Sequence, residues 1–140
     1  MLIQAARIFP EQKDLYLDAA RKAGECTWRF GLLLKGDGLC HGITGNAYAL
    51  HSLYRGLKLL GLNAEAEQWR ARAWTFATAT LENAALKEAV SSYHCKARKM
   101  VGVSDHPFCL MEGIAGNICL YSELLADEDS ARFPGYEVTM

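Results

Sequence analysis

A chain of 140 residues suits one domain or a piece of one. Hydrophobic residues make up 51% and charged residues 22%, which excludes an intrinsically disordered chain. A formal net charge of -1 offers no positive excess for nucleic acid or an anionic membrane, and no apolar run approaches the ~18 residues of a membrane span.

Residues 2–8 read as a first helix, stopped by Pro10. The opening MLIQAARIF has the texture of a helix body rather than of a signal peptide. A second helix is predicted at 11–33, with Leu15, Ala19, Ala23, Cys26 and Phe30 spaced by three and four along one face. A glycine-rich break follows, Gly36-Asp37-Gly38-Leu39-Cys40-His41-Gly42. A third helix covers 43–60, with Ala47, Leu50, Tyr54 and Leu57 on its apolar stripe and Gly61 as a left-handed cap. Asn63 caps a fourth helix at 64–86, where Trp69, Ala73, Phe76, Thr80 and Ala84 share a face. Residues 87–107 read as a loop ending at Pro107. A last helix spans 114–126, and residues 128–140 form a polar tail. No strand-like alternation occurs, so the fold class is all-α.

An internal repeat organises these elements. His41-Gly42-Ile43-Thr44-Gly45-Asn46 matches Glu112-Gly113-Ile114-Ala115-Gly116-Asn117 at an offset of 71. Each copy is a G-x-x-G turn that opens an apolar helix. The two glycines let the backbone turn tightly and let the helix start pack closely. The repeating unit is a long helix, a loop, a G-x-x-G turn and an inner helix, and stacked pairs of this kind need neighbours to bury both faces. Two units and a fraction leave helix flanks open, which predicts self-association.

The five cysteines, Cys26, Cys40, Cys95, Cys109 and Cys119, are odd in number and lack a signal peptide. They predict free thiols in a reducing, cytoplasmic setting, with peripheral membrane association left open. Cys26, Cys95 and Cys119 read as packing residues, His94 and His106 as polar loop groups, and His51 as a core or surface histidine. Cys40-His41 stands apart because a thiolate and an imidazole suit tetrahedral zinc. On spacing alone the dipeptide is a weak signal. A core cysteine beside a turn-capping histidine is the other reading.

Three segments carry a resemblance. Residues 28–56, WRFGLLLKGDGLCHGITGNAYALHSLYRG, resemble the second zinc-binding segment of LanC-like (lanthionine synthetase C-like) proteins. Residues 106–125, HPFCLMEGIAGNICLYSELL, resemble the family's final inner-helix segment, and ARFPGYEV at 131–138 its C-terminal ending. The opening MLIQAARIFPEQKDLYLDAA resembles the stretch after the family's first zinc segment, so residues 1–140 resemble the C-terminal portion of a LanC-like α/α-toroid domain. The resemblance implies a double ring of helices with zinc at its mouth, held by two cysteines and one histidine. Glutathione is the implied co-substrate, and a dehydroamino-acid-containing peptide or protein the acceptor of its thiol.

Carried over residue by residue, the resemblance makes Cys40 and His41 two metal ligands. It makes Lys35 a catalytic basic residue, pairing with a glutathione carboxylate or the enolate; a solvated lysine is the alternative. A second basic residue of the family falls on Gly102, with Arg98 or Lys99 as substitutes. Glu112, at the position of His41 in the second copy, either orients a neighbouring group or caps its turn. The family's first ligand lies in a C-H-G-x-x-G motif placed just upstream of residue 1, so the Zn2+ site is incomplete in this chain, and Cys109 is the candidate third ligand. Two function classes follow. One is part of a zinc-dependent, thioether-forming transferase; the other is a non-catalytic truncated paralogue or helical-repeat interaction module.

Overall fold

The computed structural model describes residues 1–33, 36, 38–79, 106 and 108–135. Among them run five α-helices: α1 Leu2–Ile8, α2 Lys13–Phe30, α3 Ile43–Leu59, α4 Asn63–Ala79 and α5 Ile114–Asp127. A 3-10 turn, Pro10–Gln12, links α1 to α2, because Pro10 lacks the N–H that would continue α1. The described residues contain no strand, as expected of an all-α chain. The expected end of the fourth helix (80–86), the loop 87–105 and the end of the tail (136–140) lie outside the described residues. So do Lys35, His94, Cys95, Arg98, Lys99 and Gly102.

α3 is the central element. Eleven of its 17 residues are buried, including all four of the predicted stripe, Ala47, Leu50, Tyr54 and Leu57. A helix buried on nearly every side occupies an inner position. Its end is a Schellman turn: Leu62 N–H reaches Leu57 O at 3.0 Å and Gly61 N–H reaches Lys58 O at 3.0 Å. Gly61 has φ +78, as predicted for a left-handed cap. The turn folds α4 back along α3, where Trp69, Ala73 and Phe76 are buried as expected.

α2 is an outer helix, with three buried residues of 18. They are Leu17, Ala20 and Gly24, not the expected row. Leu15 is 65% exposed and Phe30 72% exposed, and Cys26 lies on the surface rather than in packing. Both rows have helical spacing; closeness decides between them. At Gly24 the backbone comes so near that an added Cβ would stand 2.7 Å from both Leu53 and Trp69. α2 also stops at Phe30 rather than at 33: Gly31 follows, and its carbonyl accepts from Asn46 Nδ2 at 2.8 Å on α3.

α2 and α4 are tied by Arg21, which donates to both carboxylate oxygens of Glu65 at 2.7 and 2.6 Å. Arg72 adds a salt bridge to Glu25 and lies over the rings of Trp69 (4.5 Å) and Trp28 (5.3 Å). Beyond α5, residues 128–133 turn back across α3 and α4. Arg70 and Trp74 donate to Glu128 at 2.7 and 2.9 Å, and Tyr54 and Lys58 to Asp129 at 2.8 and 2.6 Å.

These contacts set an acid limit on stability. The Arg21 hydrogen bond holds Glu65 below the usual carboxylate range. Burial pushes Glu128 up, but Trp74 and Arg70 together outweigh it and hold it low. Lys58, then Tyr54, hold Asp129 low. Depressed carboxylates contribute stability that is fully present above their unfolded values of about 4 and is lost as pH falls through the native ones. Denaturant midpoints should therefore be flat from about pH 7 to 5 and fall steadily below about 4.5. A midpoint unchanged at pH 3 would contradict this.

Candidate functional site

The turn before α3 is built from main chain. Among the described residues no side chain caps the helix. Instead Gly36 O accepts from Ile43 N–H at 3.1 Å and Gly38 O from Gly45 N–H at 3.4 Å, which satisfies orphan donors of the first helical turn. Gly42 takes the N-cap position in extended conformation, φ -129 and ψ -175. Leu39 is buried beneath, while the side chains of Cys40 and His41 are exposed.

On this turn Cys40 Sγ and His41 Nδ1 face each other at 2.6 Å. A soft sulfur beside an imidazole nitrogen is a donor pair for zinc. Zinc bonds of about 2.3 Å to sulfur and 2.0–2.1 Å to nitrogen would set the two atoms about 3.6 Å apart at a tetrahedral angle, so the pair must open by about 1 Å. Both side chains are at the surface, where such a rotation meets little obstruction. As a donor pair, Cys40 Sγ and His41 Nδ1 are chemically compatible with two of the ligands of such an ion.

A third protein donor is not brought to them among the described residues. Among the described residues no group of three His, Cys, Asp or Glu side chains is placed to hold an ion. Cys109 is used within its own turn: its sulfur accepts the backbone N–H of Glu112 at 3.2 Å. His51 is a core histidine, its ring edge-on to Tyr54 at a centroid distance of 5.2 Å. Cys119 is half-buried on α5, and His106 is exposed.

The second turn repeats the first in detail. Gly113, like Gly42, is an extended N-cap, φ -110 and ψ -170. A Cβ on Gly45 would collide with the carbonyl of Leu39; one on Gly116 would stand 2.6 Å from the carbonyl of Leu110. Each second glycine thus lies on the carbonyl six residues before it, at the same offset of 71 that relates the sequences. The two turns also touch. Cys40 N–H donates to Met111 O at 3.0 Å, and the buried Thr44 hydroxyl donates to the buried Asn117 Oδ1. Sequence reading did not assign Thr44 or Asn117 a role, although Asn117 stood inside the repeated motif.

Two glycine-led turns of one design, each opening a helix, place the chain among α-helical repeat proteins. Residues 1–138 match the family model described as lanthionine synthetase C-like protein, and the chain belongs to that family. It is 35% identical over 142 aligned residues to the LanC-like protein GCL1 of Arabidopsis thaliana, covering 98% of this chain and 27% of that protein. It is 36% identical over 138 residues to the glutathione S-transferase LANCL1 of Danio rerio, covering 99% of this chain and 28% of that protein. The chain thus spans little more than a quarter of the length of these relatives. Its helical architecture is consistent with the family's α/α toroid. Among the described residues no helix is long and apolar enough to cross a membrane.

Proposed function

We propose that this chain supplies two ligands of a catalytic zinc in a LanC-like protein that adds the thiol of glutathione to dehydroamino acids. The observation that carries this reading is the convergence of Cys40 Sγ and His41 Nδ1 on an exposed turn. Kinship with a protein named as a glutathione S-transferase supports the choice of thiol. When bound, zinc lowers the pKa of a thiol so that thiolate exists near neutral pH. Cys40 and His41 would hold the ion at the surface, where a peptide acceptor has access. The thiol sulfur bonds to the β-carbon of the dehydro residue, the double-bond pair moves to the carbonyl, and a proton must reach the α-carbon. Lys35, immediately before the glycine-rich stretch, is the residue of this chain assigned to pair with a glutathione carboxylate or to steady that enolate.

A second reading, a helical interaction module without metal, draws on the apolar residues left open on two helices. Leu15 and Phe30 on α2, and Leu125 on α5 at 79% exposed, are the principal ones. One experiment separates the readings. The purified chain is equilibrated with Zn2+, with and without glutathione, desalted, and analysed for metal. Retained zinc that disappears in Cys40→Ala and in His41→Ala at unchanged far-UV helicity supports the metal reading. Zinc absent from the parent, with a light-scattering mass that climbs with concentration, sinks it in favour of the module.

A further inference from the structure

The two donor side chains are exposed, so their direction is inherited from the backbone that carries them. That backbone is held from the other repeat. Cys40 N–H is fixed on Met111 O at 3.0 Å. The absence of a side chain on Gly38 admits the Met111 and Glu112 main chain, to which an added Cβ would stand 2.8 and 3.0 Å away. Leu39 is buried, and its Cγ would be 2.8 Å from a Cβ on Gly116. One residue past the N-terminus of α3, Thr44 is 1% exposed and bonds to Asn117, 7% exposed, at the start of α5.

We infer that the Thr44–Asn117 pair, acting with the Met111 carbonyl, is the positioning device that sets the metal-binding geometry of Cys40 and His41. The inference rests on the metal reading above and adds a role for the second repeat. Metal sites need their donors held within about 0.5 Å and 10–20°. Local contacts of two exposed side chains do not supply that. The interlock between the turns does: rotating the start of α3 against α5 would swing both donors together, and the buried Thr44–Asn117 bond opposes that rotation. Among the described residues the Thr44 hydroxyl has its partner across the repeat, at a separation of 73 residues.

The test is a Co2+ titration of the full chain, read by the thiolate-to-cobalt absorption band. Thr44→Val keeps the shape and removes the donor; it should weaken Co2+ binding about tenfold or more, the usual scale for groups that orient metal ligands. Thr44→Ser restores the hydroxyl and should restore the parent constant. Tyr121→Phe removes a hydrogen bond to Ala77 O (3.0 Å) away from the turn and serves as a stability control. It should lower the melting temperature without moving the Co2+ constant. If Thr44→Val loses helicity, Asn117→Ser carries the same comparison from the other end of the bond. A parent chain that binds Co2+ while Thr44→Val binds it equally overturns the inference alone. A parent chain that takes up none, with or without glutathione added to complete the coordination, overturns the metal reading and this inference with it.

Discussion

Gly45→Ala is expected to destabilise the chain by about 3 kcal/mol, near the upper end of the usual range for overpacking. The sign is what makes the result informative. On an open helix the same substitution stabilises by about 1 kcal/mol, because alanine is the better helix former. Here the new methyl collides with the carbonyl of Leu39. A carbonyl is main chain and has no rotamer to retreat into. Leu39 is itself buried, with its side chain against Gly116. Either the Cys40–His41 turn lifts away or the first turn of α3 unwinds. Gly116→Ala should cost less, since its Cβ would stand 2.6 Å from the Leu110 carbonyl, a milder conflict than at Gly45, and its next contacts are with the Leu39 side chain rather than more main chain. Gly61→Ala separates the two roles of glycine. It has φ +78 and nothing within 4 Å, so only the left-handed backbone is penalised, at about 1–2 kcal/mol. Urea unfolding of the three variants decides the matter. A Gly45→Ala variant as stable as the parent would mean that the close approach of the turn to α3 is not a constraint.

The same glycines explain what could be read in advance. A G-x-x-G pair repeated at an offset of 71 is a pattern of residue types, and the constraint behind it is local, so the turns and the helices they open were legible. The stripe of α3 was legible because a helix buried nearly all round rewards any reading that follows its large apolar residues. α2 misled for the opposite reason. Its contact row, Leu17, Ala20 and Gly24, is chosen for small size, and a hydrophobicity pattern scores the competing row with Leu15 and Phe30 higher. The end of α2 was misplaced because Gly31 is fixed by Asn46, a partner 15 residues away. Within the site, Cys40 and His41 were picked out as residue types, but the dipeptide alone says little; resemblance supplied their roles. The Thr44–Asn117 bond has no local signature at all, since neither residue is unusual where it stands. Cys109 was weighed as a ligand from its place near the last turn, and there its sulfur accepts the backbone N–H of Glu112.

Arg55→Met is expected to release the segment after α5 and to lower stability by about 3 kcal/mol, the scale of two charge-assisted hydrogen bonds that do not add fully. Arg55 is only 8% exposed, and it donates from Nε to Asp129 O and from Nη1 to Ala131 O, both at 2.8 Å. Methionine keeps most of the apolar stem, so the substitution isolates the guanidinium. Lys58→Met should matter far less, because the Lys58–Asp129 ion pair is at the surface. These two bonds of Arg55 go to main-chain carbonyls, which acid leaves intact. Those of Arg70, Trp74, Tyr54 and Lys58 go to the carboxylates of Glu128 and Asp129, which acid neutralises. Both sets hold the same few residues, so their losses should not be independent. Once Arg55 is gone and the segment is free, protonating Glu128 and Asp129 has less left to undo. The Arg55→Met variant should therefore show a flatter decline of denaturant midpoint below about pH 4.5 than the parent. At neutral pH, trypsin should cut it faster after Arg132. Parallel pH profiles with unchanged cleavage at Arg132 would show that residues 128–133 are not anchored as a unit.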